Sequence, residues 1–164
     1  MKILGLSILR RNGDNDAILM TQATKLDDYN FFTRGNVREY IGFFAKTITI
    51  RTELGTRQSV ENQDYYVHVY LRADGLCGCV TCDSEYPPRV AYTLISQLLE
   101  DFSTQHPPNT PKDWTKCETP ESIVWPVIDQ VLGMIYTSSS SFFPFWSIYL
   151  CLTAAAAAAA AAIC

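Results

Sequence analysis

Two Asx-Gly dipeptides, Asn12-Gly13 and Asp74-Gly75, each stand between apolar runs, and they restrict the fold more than any other feature of the chain. Such a dipeptide supplies the positive φ that a tight antiparallel connection needs, so each predicts a hairpin. The first joins an apolar strand over 3–10 to a second that starts at Ala17 (AILMTQA). The second joins DYYVHVYLRA to LCGCVTC, and the short run RQSVE precedes that pair as a further strand. Between the hairpins, Val37, Ile41, Phe44 and Ile48 recur at helical spacing in a segment that reads as a long helix ending near Gly55. Pro87 and Pro88 stop the last strand. Ala91, Leu94, Ile95, Leu98 and Phe102 then mark one face of a second helix, which runs out before His106-Pro107-Pro108. A third helix is expected from about Pro126, with proline in its first turn. The order is ββαβββαα, an α+β arrangement.

At 164 residues the chain allows one domain with a sizeable core and a short appendage. With 13 basic and 17 acidic side chains, it offers no positive stripe to neutralise a phosphate backbone, so nucleic acid is excluded as a partner. The first residues read as a strand. The short apolar run from Ile3 to Leu9, followed by Arg10 and Arg11, makes a poor secretory leader. Lys2 excludes N-myristoylation, which needs glycine there. All 30 charged side chains lie at or before Asp129, leaving 35 uncharged positions after it. The expected division is a globular part over 1–132 and a tail over 133–164 containing serines, aromatic residues and nine alanines.

The stretch CGCVTCDSEYPPRVAY, residues 77–92, concentrates the groups that could carry chemistry. On a strand, Cys77 and Cys79 point to one face and Cys82 to the other, so the three thiols do not converge. Zinc takes about four tetrahedral ligands, and His68, His106 and Cys117 stand at no paired spacing. The cysteines are expected to be buried and structural, without metal or disulfide. His68 alternates with Tyr66 and Tyr70 and reads as a hydrogen-bonded sheet residue rather than a catalytic base. No acid, base and nucleophile converge, which argues against an enzyme.

The same stretch carries a family resemblance. DSEYPPRVAYTLISQLLEDF resembles the D-x-E-Y-P-x-R-x-A-(F/Y)-x-L segment of the longin domain in the lipid-anchored R-SNARE, a synaptobrevin relative. NFFTRGNVREYIGFFAKTI and GTRQSVENQDYYVHVYLRADGLCG resemble two further segments of that domain, in the same order and spacing. The resemblance covers about residues 1–132 and makes Asp83, Glu85, Tyr86, Pro87 and Arg89 its structural signature. It implies a longin (profilin-like) fold, a five-stranded antiparallel sheet with one helix on one face and two on the other. It also implies no catalytic residue and no cofactor. The implied partners are SNARE helices, fusion machinery or a lipid chain, at the cytoplasmic side of secretory-pathway membranes such as the Golgi and its vesicles. The family's heptad segment and prenylation box do not follow in this sequence, where Cys164 is last and Ala161 fourth from the end. A small structural subunit of a coat or tethering complex is therefore the alternative.

At about 100° per residue, Ile41, Phe44 and Ile48 fall within about 40° of Val37, whereas Phe43 and Ile50 fall about 120–140° away with Tyr40 between. The apolar arc is wider than one sheet contact requires. A hydrophobic groove lined by Phe32, Tyr40, Phe43 and Ile50, able to take a helix or a lipid chain, is the expected site. The opposing expectation is that Phe31 and Phe32, read as loop residues, fold over this flank and bury it. For 142–164, two readings stand: a bilayer span, since 23 uncharged positions suffice to cross, or unrelated sequence that packs on nothing. The second is preferred, because alanine is only marginally hydrophobic.

Overall fold

The computed structural model describes residues 2–62, 64–109, 113–121 and 123–137. Its elements are β1 (Ile3–Asn12), β2 (Asp16–Thr24), α1 (Phe31–Arg51), β3 (Arg57–Asn62), β4 (Tyr65–Leu71), β5 (Leu76–Asp83), α2 (Pro88–Gln105) and α3 (Val127–Thr137). The five strands form one antiparallel sheet in the order β2-β1-β5-β4-β3. Both predicted hairpins are present, the first with a three-residue loop over 13–15 and the second with a four-residue loop over 72–75, and Gly13 (φ 70°) and Gly75 (φ 89°) supply the left-handed backbone. In the second hairpin, Arg72 N–H donates to the Leu76 carbonyl at 2.8 Å and the Asp74 carboxylate accepts from Leu76 N–H at 3.1 Å.

Alternation along the strands builds two cores. Leu76, Val80 and Cys82 of β5 face α2 and α3, together with Ile3, Leu6 and Ile8 of β1. Cys77 and Cys79 of β5 face α1 with Val67, Val69 and Leu71 of β4. This is the one-helix and two-helix division that the longin fold predicts. The α2 side is the larger core, filled by Ala91, Leu94, Ile95, Leu98, Leu99 and Phe102 and closed by Trp114, Trp125, Val127, Ile128, Val131 and Leu132. Burial of each large side chain there is worth about 1.5–3 kcal/mol. Gly78 permits the close approach of α2, because a Cβ there would stand 2.6 Å from Ile95 Cγ2.

The stretch 113–121, between α2 and α3, bonds to β1 and to the outer edge of β2. Asp113 anchors it, its carboxylate accepting from the Thr115 hydroxyl, Thr115 N–H and Asn109 N–H at 2.6–2.9 Å. Those bonds, the Thr115 hydroxyl first, hold its pKa down at about 2. Arg10 donates to the Cys117 carbonyl at 2.7 Å, Glu121 N–H donates to the Leu19 carbonyl at 2.7 Å, and Arg38 pairs with Glu121 at 3.1 Å. The opposite edge, β3, carries no strand on its outer side among the described residues.

Three boundaries differ from the sequence reading. Helix α1 begins at Phe31, because the Asn30 side chain accepts from Phe32 N–H at 3.3 Å, so Phe31 and Phe32 are helical rather than loop residues. It ends at Arg51, where Thr52 turns extended, short of Gly55. Helix α3 continues past Leu132 to Thr137, and the Tyr136 hydroxyl donates to the Ile3 carbonyl at 2.7 Å. Among the described residues no helix is long and apolar enough to cross a membrane. The two readings of 142–164 lie outside the described residues.

Candidate functional site

Helix α1 presents its smaller side chains to the sheet and its larger apolar ones to solvent. Its buried positions are Ile41, Gly42, Ala45, Ile48 and Thr49, so only two sizeable aliphatic side chains sit on the inner face. Thr49 tolerates burial because its hydroxyl donates to the Ala45 carbonyl at 2.8 Å and lies 3.3 Å from Cys77 Sγ. Val37 and Phe44, expected in the core stripe, are only partly buried against it. Outside, Phe31 is 77% exposed, Phe32 86%, Phe43 69% and Tyr40 53%.

These outer residues share a face. Phe32 and Phe43 are eleven positions apart, which returns to within about 20° of the same direction over about 16 Å of helix. Ile50, half-buried, lies on that line, and Tyr40 lies between it and the sheet. The Tyr40 ring stacks on Phe44 at 6.0 Å, and its hydroxyl accepts from Asn62 Nδ2 at 2.8 Å, which ties α1 to the end of β3. At the other end Thr52 donates to Gln58 Oε1 at 3.0 Å. Between those ties Val60 packs against the α1 core. The residues expected in a groove, Phe32, Tyr40, Phe43 and Ile50, thus all lie along α1 on the side away from its sheet contact. Phe31 and Phe32 pack edge-to-face on each other at 5.9 Å and are themselves exposed.

The signature residues build a corner. Asp83 ends β5; its carboxylate accepts from Lys2 N–H at 2.7 Å and its own N–H donates to the Lys2 carbonyl at 3.0 Å, which finishes the β1–β5 ladder. Tyr86 packs on the main core, and burial, together with Cys82 and Asp83, pushes its hydroxyl pKa up to about 12. Pro87 precedes α2 and its carbonyl accepts from Val90 and Ala91 N–H at 3.0 and 3.2 Å; Glu85 and Arg89 are exposed beside it. Asp83, Tyr86 and Pro87 thus join the strand end, the turn and the helix start, and Glu85 and Arg89 lie on the exposed side of that corner.

Cys77 and Cys79 face α1 and Cys82 faces α2, as the alternation requires, and none is in a disulfide. Contact with Cys77, then burial, raises the Cys79 thiol well above its ordinary pKa; burial and Asp83 raise Cys82 to about 12. Neither supplies a thiolate near neutral pH. Among the described residues no three His, Cys, Asp or Glu side chains are grouped as metal ligands.

A five-stranded antiparallel sheet layered between one helix and two, with an outward-facing aromatic stripe on the single helix, defines a class of three-layer α+β domain. The chain belongs to the longin family: that family's sequence model, described as a regulated-SNARE-like domain, matches residues 26–120. The chain is 46% identical over 107 residues to the synaptobrevin homolog ykt6 of Schizosaccharomyces pombe, an alignment covering 65% of this chain and 54% of that protein. It is 47% identical over 107 residues to the synaptobrevin homolog YKT6 of Yarrowia lipolytica (65% and 53%) and 38% identical over 107 residues to that of Saccharomyces cerevisiae (65% and 53%). The chain spans about half the length of the curated relatives it matches.

Proposed function

We propose that this chain is a non-catalytic regulatory binding domain of the R-SNARE type, acting in vesicle-mediated transport and membrane fusion at the cytoplasmic face of secretory-pathway membranes. The observation that carries the reading is the orientation of α1, with glycine, alanine and threonine inward and Phe32, Phe43 and Tyr40 outward. Exposed aromatic side chains on one helix line suit an apolar partner, and the outer flank of α1 beside β3 is the surface to which a SNARE helix or a lipid chain docks. The synaptobrevin homologs that the chain resembles support a partner drawn from SNAREs or the fusion machinery. Affinity capture from cell extract with the full chain and with Phe43→Glu tests this. SNARE or fusion-machinery proteins retained by the first and lost from the second support it; stoichiometric coat or tethering subunits retained by both overturn it.

A further inference from the structure

The α2 side of β3 holds a polar chain that the α1 surface does not use. His68 of β4 is 1% exposed, with its ring against Tyr66 at 6.2 Å and Tyr92 at 5.5 Å. Its Nδ1 lies 2.8 Å from Ser59 Oγ, which in turn lies 2.7 Å from the Tyr92 hydroxyl, while Nε2 is buried with no hydrogen-bond partner among the described residues. A buried N–H without an acceptor is rarer and costlier than an unused lone pair, so the imidazole carries its proton on Nδ1 and donates to Ser59. The chain then holds one imidazole proton and two hydroxyl protons for two contacts. One hydroxyl proton, on Ser59 or Tyr92, is left directed outward.

Arg57 stands beside it. Its guanidinium lies 4.9 Å from the Tyr70 ring centroid and 5.7 Å from that of Tyr92, and it forms no ion pair among the described residues. Two aromatic faces hold the side chain in place, so little rotamer freedom remains to be lost when an anion arrives. The strand carrying Arg57 and Ser59 is the last of the sheet and has an open outer edge among the described residues, to which an extended segment can add. We infer that Arg57, Ser59 and Tyr92 form an anion-recognising site on the α2 side of β3, and that its ligand is the carboxylate of an acidic residue in an extended peptide. One guanidinium and one spare hydroxyl match a monoanion. A dianionic phosphomonoester would need a second cation and would meet Glu61, two positions along the same strand face and opposite Tyr66 in register.

This site lies on the opposite side of β3 from the α1 stripe and stands independently of the reading given above. It is tested by titrating the full chain with an octapeptide of alternating Val and Thr in which one central Thr is Glu (the Val-Glu peptide), and with the same peptide carrying Gln at that position. Amide signals and the His68 ring nitrogens are followed by NMR. The Val-Glu peptide is expected to bind about three- to tenfold more tightly at low salt and to move the signals of residues 57–61 and Tyr92. Arg57→Gln is expected to erase that preference at an unchanged unfolding midpoint, and Arg57→Lys to keep only part of it. Equal binding of the two peptides, a preference that survives Arg57→Gln, or a proton on His68 Nε2 would each overturn the inference. Inorganic phosphate moving the same signals at lower concentration than acetate would overturn the choice of a carboxylate.

Discussion

Phe43 and His68 place two different demands on a side chain, exposure on the proposed binding surface and burial beside the sheet. Phe43 is mostly exposed, so Phe43→Glu removes no core contact, and its effect on folding is expected to stay within about 0.5 kcal/mol. A carboxylate on the same helix line as Phe32 would be desolvated by any apolar partner, so binding should be lost. Paired measurements of unfolding midpoint and partner capture check this, and a large drop in the midpoint would place Phe43 in the core. For His68 the argument runs through protons. Burial lowers its pKa in the folded chain, so the unfolded chain binds the extra proton first as pH falls below about 6.5. The stability that the neutral imidazole contributes is therefore complete above that value and is lost from there down to the folded pKa. The slope approaches about 1.4 kcal/mol per pH unit at most. Urea unfolding between pH 7.5 and 5 should show a steeper loss in the parent than in His68→Phe, and identical slopes would refute the assignment.

At the scale of elements, the fold is legible in the sequence where local chemistry and tertiary packing demand the same thing. Glycine in the two hairpins, proline before α2 and the apolar spacing of α2 each specify one outcome, and all three elements form there. The same spacing in α1 was ambiguous because small and β-branched residues do the inner packing while aromatic residues face out. Helical spacing sets Phe43 away from the sheet, where it is found, yet it also sets Phe44 and Val37 in a core that they only partly join. The cap at Asn30 is hidden in the sequence because the two phenylalanines after it read as loop residues; Asn30→Ala should cost about 1 kcal/mol, measured by chemical unfolding, and unfasten the first turn that carries Phe31 and Phe32. The His68, Ser59 and Tyr92 chain was illegible for another reason. It joins β3, β4 and α2, and only a strand register can bring residues 59, 68 and 92 together.

At the scale of the whole molecule, the question is where the folded unit ends. The change in composition suggested Leu132, and charge does vanish after Asp129, but packing follows a different criterion. Ile135 and Tyr136 rest on the main core, and the Tyr136 hydroxyl reaches the carbonyl of Ile3 at 2.7 Å, tying the last described helix to the first strand. Lys25 lies 5.7 Å from the Tyr136 ring centroid, a third contact holding the same end. A chain stopped after Leu132 loses those contacts and the last turns of α3, whereas one stopped after Thr137 keeps every contact described above. We expect the longer truncation product to match the full chain in its unfolding midpoint and the shorter one to fall below it. Tyr136→Phe in the full chain should reproduce part of that fall, about 1 kcal/mol, because it removes the hydrogen bond and leaves the ring. Thermal or urea unfolding of the four proteins decides the matter. Equal midpoints for both truncation products would set the boundary at Leu132, and a fall in both would show that residues beyond Thr137 contribute to the fold.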